Sequence, residues 1–313
     1  KDAMSADFRF DRWLIKEGVS VLCDSKSVGT IIGKKWDLQT RLVFLREYLT
    51  DTARRFLPEP HATLLAGLIY GDIVGLPDEV KDWFQRTGTL HLVAVSGSNV
   101  VLVTDTILVL LIALGLNRKA AFYFLLVALF LFVILTGADA SVVRAGFMGA
   151  LCLTAKQIGR PSASLSLFLL TMAAMVALSP RLLLDDIGFR LSFAAVAGIM
   201  WLAPKIKKYF SFIKYDDART LLSETFAAII ATLPFSVISF GTVSLIAPIA
   251  NLLILPVIPA IMIVGAAFLI MSAASRAFIA VPILIWLPIY AVLEYIFVVV
   301  RLLSRFPVWR IGL

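Results

Sequence analysis

Residues 90–114 are apolar enough to cross a bilayer, yet Ser96, Gly97, Ser98 and Asn99 sit in the first half of that stretch and Asp105 near its middle. A lipid-facing helix could not carry them. Polar groups at membrane depth are tolerated where protein or a water-filled cavity satisfies them, so the surrounding sequence TGTLHLVAVSGSNVVLV, residues 87–103, reads as a broken helix lining a path. The plainer alternative is a flexible helix whose polar face packs on its neighbours.

The rest of the chain demands the same solvent. Of its 313 residues 60% are hydrophobic and 16% charged, and the mean hydropathy is +0.93. No soluble core could bury so much apolar surface, which makes this an all-α polytopic membrane protein. About eight membrane segments follow from hydropathy: 90–114, 120–136, 142–155, 165–178, 189–202, 222–240, 246–271 and 278–302. Segments 142–155 and 189–202 reach only about 20 Å at 1.5 Å per residue, so they are read as half-helices or as supported by neighbours.

Ahead of the bundle, residues 1–37 contain two short β-branched runs, 19–23 and 28–32, which read as the last strands of a small β-barrel. Residues 38–87 form interfacial helices. The first is basic and amphipathic over 38–57, with Leu38, Leu42, Leu45, Leu49, Ala53 and Phe56 on one face, and lies on a membrane surface or packs on the bundle. The membrane domain runs over 88–303 and a short tail over 304–313. Cys23 and Cys152 lie in dissimilar settings and read as free thiols, and the chain has no metal motif of Cys/His spacing.

The net charge of +8 falls entirely beyond Thr87, since basic and acidic residues balance before it. With the first block outside, the inner loops carry Arg118, Lys119, Lys156, Arg160, Lys205, Lys207, Lys208, Lys214, Arg219 and Arg276, and the outer loops between segments carry Arg181 alone. The bias sets the amino-terminal block on the extracytoplasmic side.

Inside the segments the basic residues are few. Arg144 lies near the start of its helix behind Ser141, an N-cap candidate, and Arg190 follows Asp185 and Asp186 at the mouth of another. Either arginine could contact phosphate or hold a pore-lining helix end. The structural alternatives are that Arg144 reaches the interface and pairs with Asp139, and that Arg190 pairs with Asp186. Asp105 and Glu294 are the deep carboxylates, to be matched with Arg144 or Arg190 or to serve a cation or proton. His91 stands just before the break. Asp72 caps the turn that follows it or binds Arg86. Asn251 offers its amide to carbonyls freed by nearby prolines.

Six ordered blocks carry a family resemblance: GLIYGD at 67–72, GLPDE at 75–79, FQRTGTLHLVAVSG at 84–97, SVVRAGFM at 141–148, SPRLLLDDIGFRLSFAAVAG at 179–198 and ETFAAIIATLPFSVISFGTVSLIAPIANLLILP at 224–256. With them the chain resembles the ComEC family of competence proteins. The resemblance implies a channel in the bacterial inner membrane that passes single-stranded DNA into the cytoplasm during natural transformation. It makes residues 1–37 the end of an extracytoplasmic OB-like domain. Its partners would be the DNA strand, membrane lipid, a DNA receptor protein, a cytoplasmic ATPase and a nuclease domain or partner. The path would be lined by His91, Ser96, Gly97, Ser98, Asn99, Asp105, Arg144, Arg190 and Asn251, with Asp72, Asp186 and Glu294 in structural or gating roles.

Two departures bear on it. Where the family reads SGLH this chain has Ser96-Gly97-Ser98-Asn99, so a titrating role at Asn99 is lost, because an amide has no accessible pKa. The metallo-β-lactamase-like domain that many members carry is not present in this sequence, which has only His61 and His91 as histidines. No cofactor and no catalytic residue is expected. A secondary transporter of a small solute or ion is the alternative function, although no inverted repeat is evident. An intramembrane hydrolase on Ser96 and His91 is disfavoured, because five residues of spacing place them on different helix faces, and the chain has no P-loop.

Overall fold

In a computed structural model the chain is described at residues 38–73, 75–93, 95, 97–137, 140–159, 164–180, 182–240, 242–274 and 280–310. The expected barrel end at 1–37, Ser96 and Asp139 lie outside the described residues. What is described is helical apart from one two-residue antiparallel pairing, in which β1 (Thr242–Val243) joins β2 (Trp309–Arg310).

The first helix, α1 (Leu38–Arg54), does pack on the bundle. Thr50 Oγ1 and Tyr70 Oη lie 2.6 Å apart, fixing it to α2 (His61–Tyr70). The Tyr48 hydroxyl donates to the Ala273 carbonyl at 3.1 Å, and Arg46 donates to the carbonyl of Leu135. Beyond α1, Arg54 meets Glu59 at 2.7 Å. Partial burial pushes the Glu59 carboxyl up, but hydrogen bonds from Arg54 and Thr63 outweigh it and hold the group below its usual range. Gly71 ends α2 in the left-handed conformation, φ 81°, where a side chain would be strained. Next, α3 (Asp78–Arg86) has Pro77 before it and Asp78 and Glu79 in its first turn, where the helix dipole favours acids.

The break in the first membrane segment is real. Short α4 (Leu90–Val93) stops, Val95 is not helical, and α5 (Gly97–Ala113) starts at the glycine. The bundle continues with α6 (Arg118–Leu135), α7 (Ala140–Gln157), α8 (Ser164–Leu178), α9 (Leu182–Asp185), α10 (Ile187–Trp201), α11 (Ala203–Lys207) and α12 (Asp216–Phe240). It closes with α13 (Ala247–Ile254), a 3-10 turn (Leu255–Val257) carrying Pro256, α14 (Ile258–Ala274) and α15 (Ala280–Leu303). Helices thus stand at every segment marked by hydropathy. Among the described residues, four stretches are long and apolar enough to cross a membrane: Arg118–Leu135, Asp216–Ser239, Ala247–Ala273 and Trp286–Leu303. Helix α7 corrects the sequence estimate, since its polar ends Ala140–Ser141 and Lys156–Gln157 are helical too and bring it to 18 residues.

Apolar packing divides the bundle. The largest cluster joins α1, α2 and α3 to α13, α14 and α15 through residues such as Leu64, Leu65, Phe84, Ile254, Phe268 and Leu293. A smaller one, Val95, Val100, Leu129 and Val142, sits beneath the break. A third, Phe168, Met175, Phe189 and Phe193, joins α8 to α10. The outward faces of α5 and α6 keep Val101, Val109, Ile112, Tyr123, Val127 and Phe130 exposed, as lipid contact requires.

Candidate polyanion path at the broken helix

Helix α7 meets the break along one face, because residues i, i+3 and i+4 of a helix point the same way. Ser141 Oγ donates to the carbonyl of Val95, the non-helical residue, at 3.3 Å. Ser141 is therefore not an N-cap; it lies inside α7 and satisfies backbone freed by the interruption. One turn on, Arg144 and Ala145 face Gly97. A Cβ placed on that glycine would stand 3.5 Å from Ala145 Cβ and 3.8 Å from Arg144 Nη2. The absent side chain leaves the head of α5 open toward the guanidinium.

Arg144 does not project to the surface of the bundle. It is 4% exposed, its Cζ lies 5.4 Å over the ring of Phe193 in α10, and its Nη1 is buried without a hydrogen-bond partner. The cation–π contact offsets only a part of its desolvation, about 0.5–2 kcal/mol, whereas an uncompensated buried charge costs about 3–5 kcal/mol. Arg190 stands one turn before Phe193 on α10, and its Nε is likewise buried without a partner. Asp186 serves as N-cap of α10, accepting from the Phe189 N–H at 3.0 Å. Arg144 is therefore an under-satisfied cation beside the break, and Arg190 lies on the helix that supplies its aromatic contact.

The other sequence candidates separate from this group. Asn99 is buried and its amide donates to the Leu68 carbonyl at 3.4 Å, tying α5 to α2. His91 is exposed on α4, its Nδ1 3.1 Å from the Gly88 carbonyl. Asp105 is exposed on α5 between Val101 and Val109, away from both arginines' burial sites. Asp72 is half-buried in the turn after α2, and Arg86 lies 3.9 Å from Asp82. Asn251 is buried in α13 with its Oδ1 lacking a hydrogen bond.

Glu294 pairs with neither arginine. Its Oε2 lies 2.7 Å from Nε2 of His61, whose ring stacks on Tyr290 at 4.5 Å and meets Phe297 edge-on at 4.9 Å. A carboxylate accepts, so Nε2 donates to it, and the buried Nδ1 has no hydrogen-bond partner. Sequence reading missed this pair because its members are more than two hundred residues apart and share no motif. Replacing His61 by alanine removes a buried ring and should cost about 2–3 kcal/mol. Glu294→Gln keeps an acceptor and should cost within about 1 kcal/mol. Thermal unfolding of the purified protein in detergent checks both, and equal losses would contradict this reading of the pair.

A family model described as Competence protein matches residues 68–313. The chain is 29% identical over 220 residues to ComE operon protein 3 of Bacillus subtilis (strain 168), which covers 69% of this chain and 27% of that protein. It is 26% identical over 237 residues to the uncharacterized protein YcaI of Escherichia coli (strain K12), covering 68% of this chain and 29% of that protein. The chain spans less than a third of the length of these relatives. No solved structure matches it significantly.

Proposed function

Because the chain belongs to the ComEC family of competence proteins, we propose that it forms the membrane conduit through which single-stranded DNA enters the cytoplasm during natural transformation. One observation supports the reading most: the first apolar segment is broken at Gly97, and the buried guanidinium of Arg144 faces the opening without an acceptor. A strand brings one negative charge per nucleotide, so its path needs cations or helix amino termini and must avoid buried acids. In this reading the chain crosses the bacterial inner membrane about eight times. The shorter helices α5, α8 and α10 are then completed by their neighbours, and residues 1–37 close an extracytoplasmic OB-like domain. A DNA receptor, a cytoplasmic ATPase and a nuclease domain or partner would act with it, while the chain itself binds and passes the strand without catalysis.

The orientation follows from loop charge. The loop around Lys214 is expected inside and Ser25 outside. Single cysteines at these positions test this in intact cells with an impermeant thiol reagent. Labelling at Ser25→Cys with protection at Lys214→Cys is expected, and the reverse would overturn the topology. With that orientation Gly97, Arg144 and Arg190 all stand at the outer ends of their helices, where an entering strand would first lose its water. Uptake of labelled DNA by cells carrying Arg144→Glu at matched protein level tests the function, and uptake at the wild-type rate would contradict it.

A further inference from the structure

We propose that Arg144 and the amino terminus of α5 together form a binding site for a single phosphodiester anion, which would take the place of the Phe193 ring against the guanidinium. The inference deepens the conduit reading and rests on it for its physiological ligand. It stands on two independent features. The first is the head of a 17-residue helix that begins at a glycine, so no Cβ at its first residue screens the approach to the leading N–H groups, which a helix leaves without intrahelical acceptors. The second is Arg144, all but 4% buried, with Nη1 lacking any hydrogen-bond partner and Nη2 turned toward Gly97.

Size and charge select the ligand. A guanidinium presents parallel N–H groups that match two oxygens on one phosphorus, and a helix terminus adds donors from a second direction. A singly charged tetrahedral group with two free oxygens fits both. A phosphodiester meets this description in two forms, the backbone of a nucleic-acid strand and the headgroup of an anionic phospholipid. The face of Phe193 holds the cation at 5.4 Å through a contact weaker than a charge-assisted hydrogen bond, so an arriving phosphate can displace it. Arg190, one turn before Phe193, has a buried Nε lacking a partner and is a second cation on the helix that packs its Phe193 ring against Arg144.

Binding to the purified full chain in maltoside detergent, which carries no phosphate, tests this. The probes are a dye-labelled short oligothymidylate, the same oligomer with uncharged methylphosphonate linkages, and phosphatidylglycerol added as competitor. Wild-type protein is expected to bind the charged oligomer about 10- to 100-fold more tightly than the uncharged one, and Arg144→Gln should lose about the same factor. Arg144→Lys should fall between them, and it replaces Arg144→Gln if that variant does not fold. The exposed Arg305 serves as control, and Arg305→Gln should bind as wild type. Competition by phosphatidylglycerol that depends on Arg144 identifies the lipid headgroup as a second source of the same group; lack of competition identifies the strand alone. Affinity that is unchanged in both Arg144 variants overturns the site. If binding depends on Arg144 while Arg144→Lys and Arg144→Gln cells import DNA normally, the anion site stands and the conduit reading fails. If import is lost while binding does not change, the converse holds.

Discussion

Cells carrying Gly97→Leu are expected to take up DNA at near-background level while keeping normal amounts of the protein in the membrane. A Cβ at this position meets only ordinary contacts, 3.5 Å to Ala145 and 3.8 Å to Arg144 Nη2. Alanine therefore fits, and Gly97→Ala should import DNA close to normally. Leucine adds three further carbons, which must lie in the gap between the head of α5 and the guanidinium. Overpacking of that kind costs about 1–3 kcal/mol, too little to unfold a protein of ordinary stability. The loss should thus appear in transport and not in abundance. Measuring imported radiolabelled strand against immunoblotted protein separates the two, and normal import by Gly97→Leu at normal level would remove the break from the path.

The second large effect falls on folding. Gly198 in α10 stands so close to α12 that a Cβ there would lie 2.5 Å from the Ala227 carbonyl oxygen and 2.6 Å from Ala231 Cβ. Both obstacles are rigid, one of them backbone. Helices in a membrane associate through such small-residue contacts, without a hydrophobic drive to compensate for a gap. Gly198→Ala should cost about 1–3 kcal/mol. Gly198→Leu has to separate α10 from α12, and in doing so disturbs Phe193 and Arg190 on the same helix. Most of the protein is expected to disappear from the membrane fraction, in contrast to Gly97→Leu. Equal abundance of Gly198→Leu and wild type would show that the two helices do not pack as described.

Much of this architecture could be read from residues alone, for identifiable reasons. Helices stand where apolar runs exceed a dozen residues, because lipid leaves the backbone no other way to satisfy its own hydrogen bonds. The interruption at Gly97 was legible because four consecutive polar or flexible residues in an apolar run have few explanations. Partnerships were harder. The short polar spacing that marked Ser141 as a helix cap also suits a hydroxyl inside a helix that serves a carbonyl elsewhere, and only the fold brings Val95 to it. Arg144 looked near enough to the interface to reach out, but the ring of Phe193 and the neighbouring α5 enclose it. Glu294 found its partner in His61, from α2, whose docking against α15 leaves no local trace in sequence. The i, i+3 spacing of Ser141 and Arg144 was the available signal that one face of α7 looks toward the break.

A DNA strand in transit is expected to pass between the head of α5 and Arg144. Importing cells can be given DNA containing 4-thiothymidine and irradiated during uptake, after which the crosslinked peptides of the unmodified protein are mapped by mass spectrometry. Crosslinks are predicted on the α5 amino terminus around Gly97 and on α7 around Arg144, with none on the outward residues Val109, Tyr123 and Val127. Crosslinks confined to those outward faces or to α1, with none at Gly97 or Arg144, would contradict it.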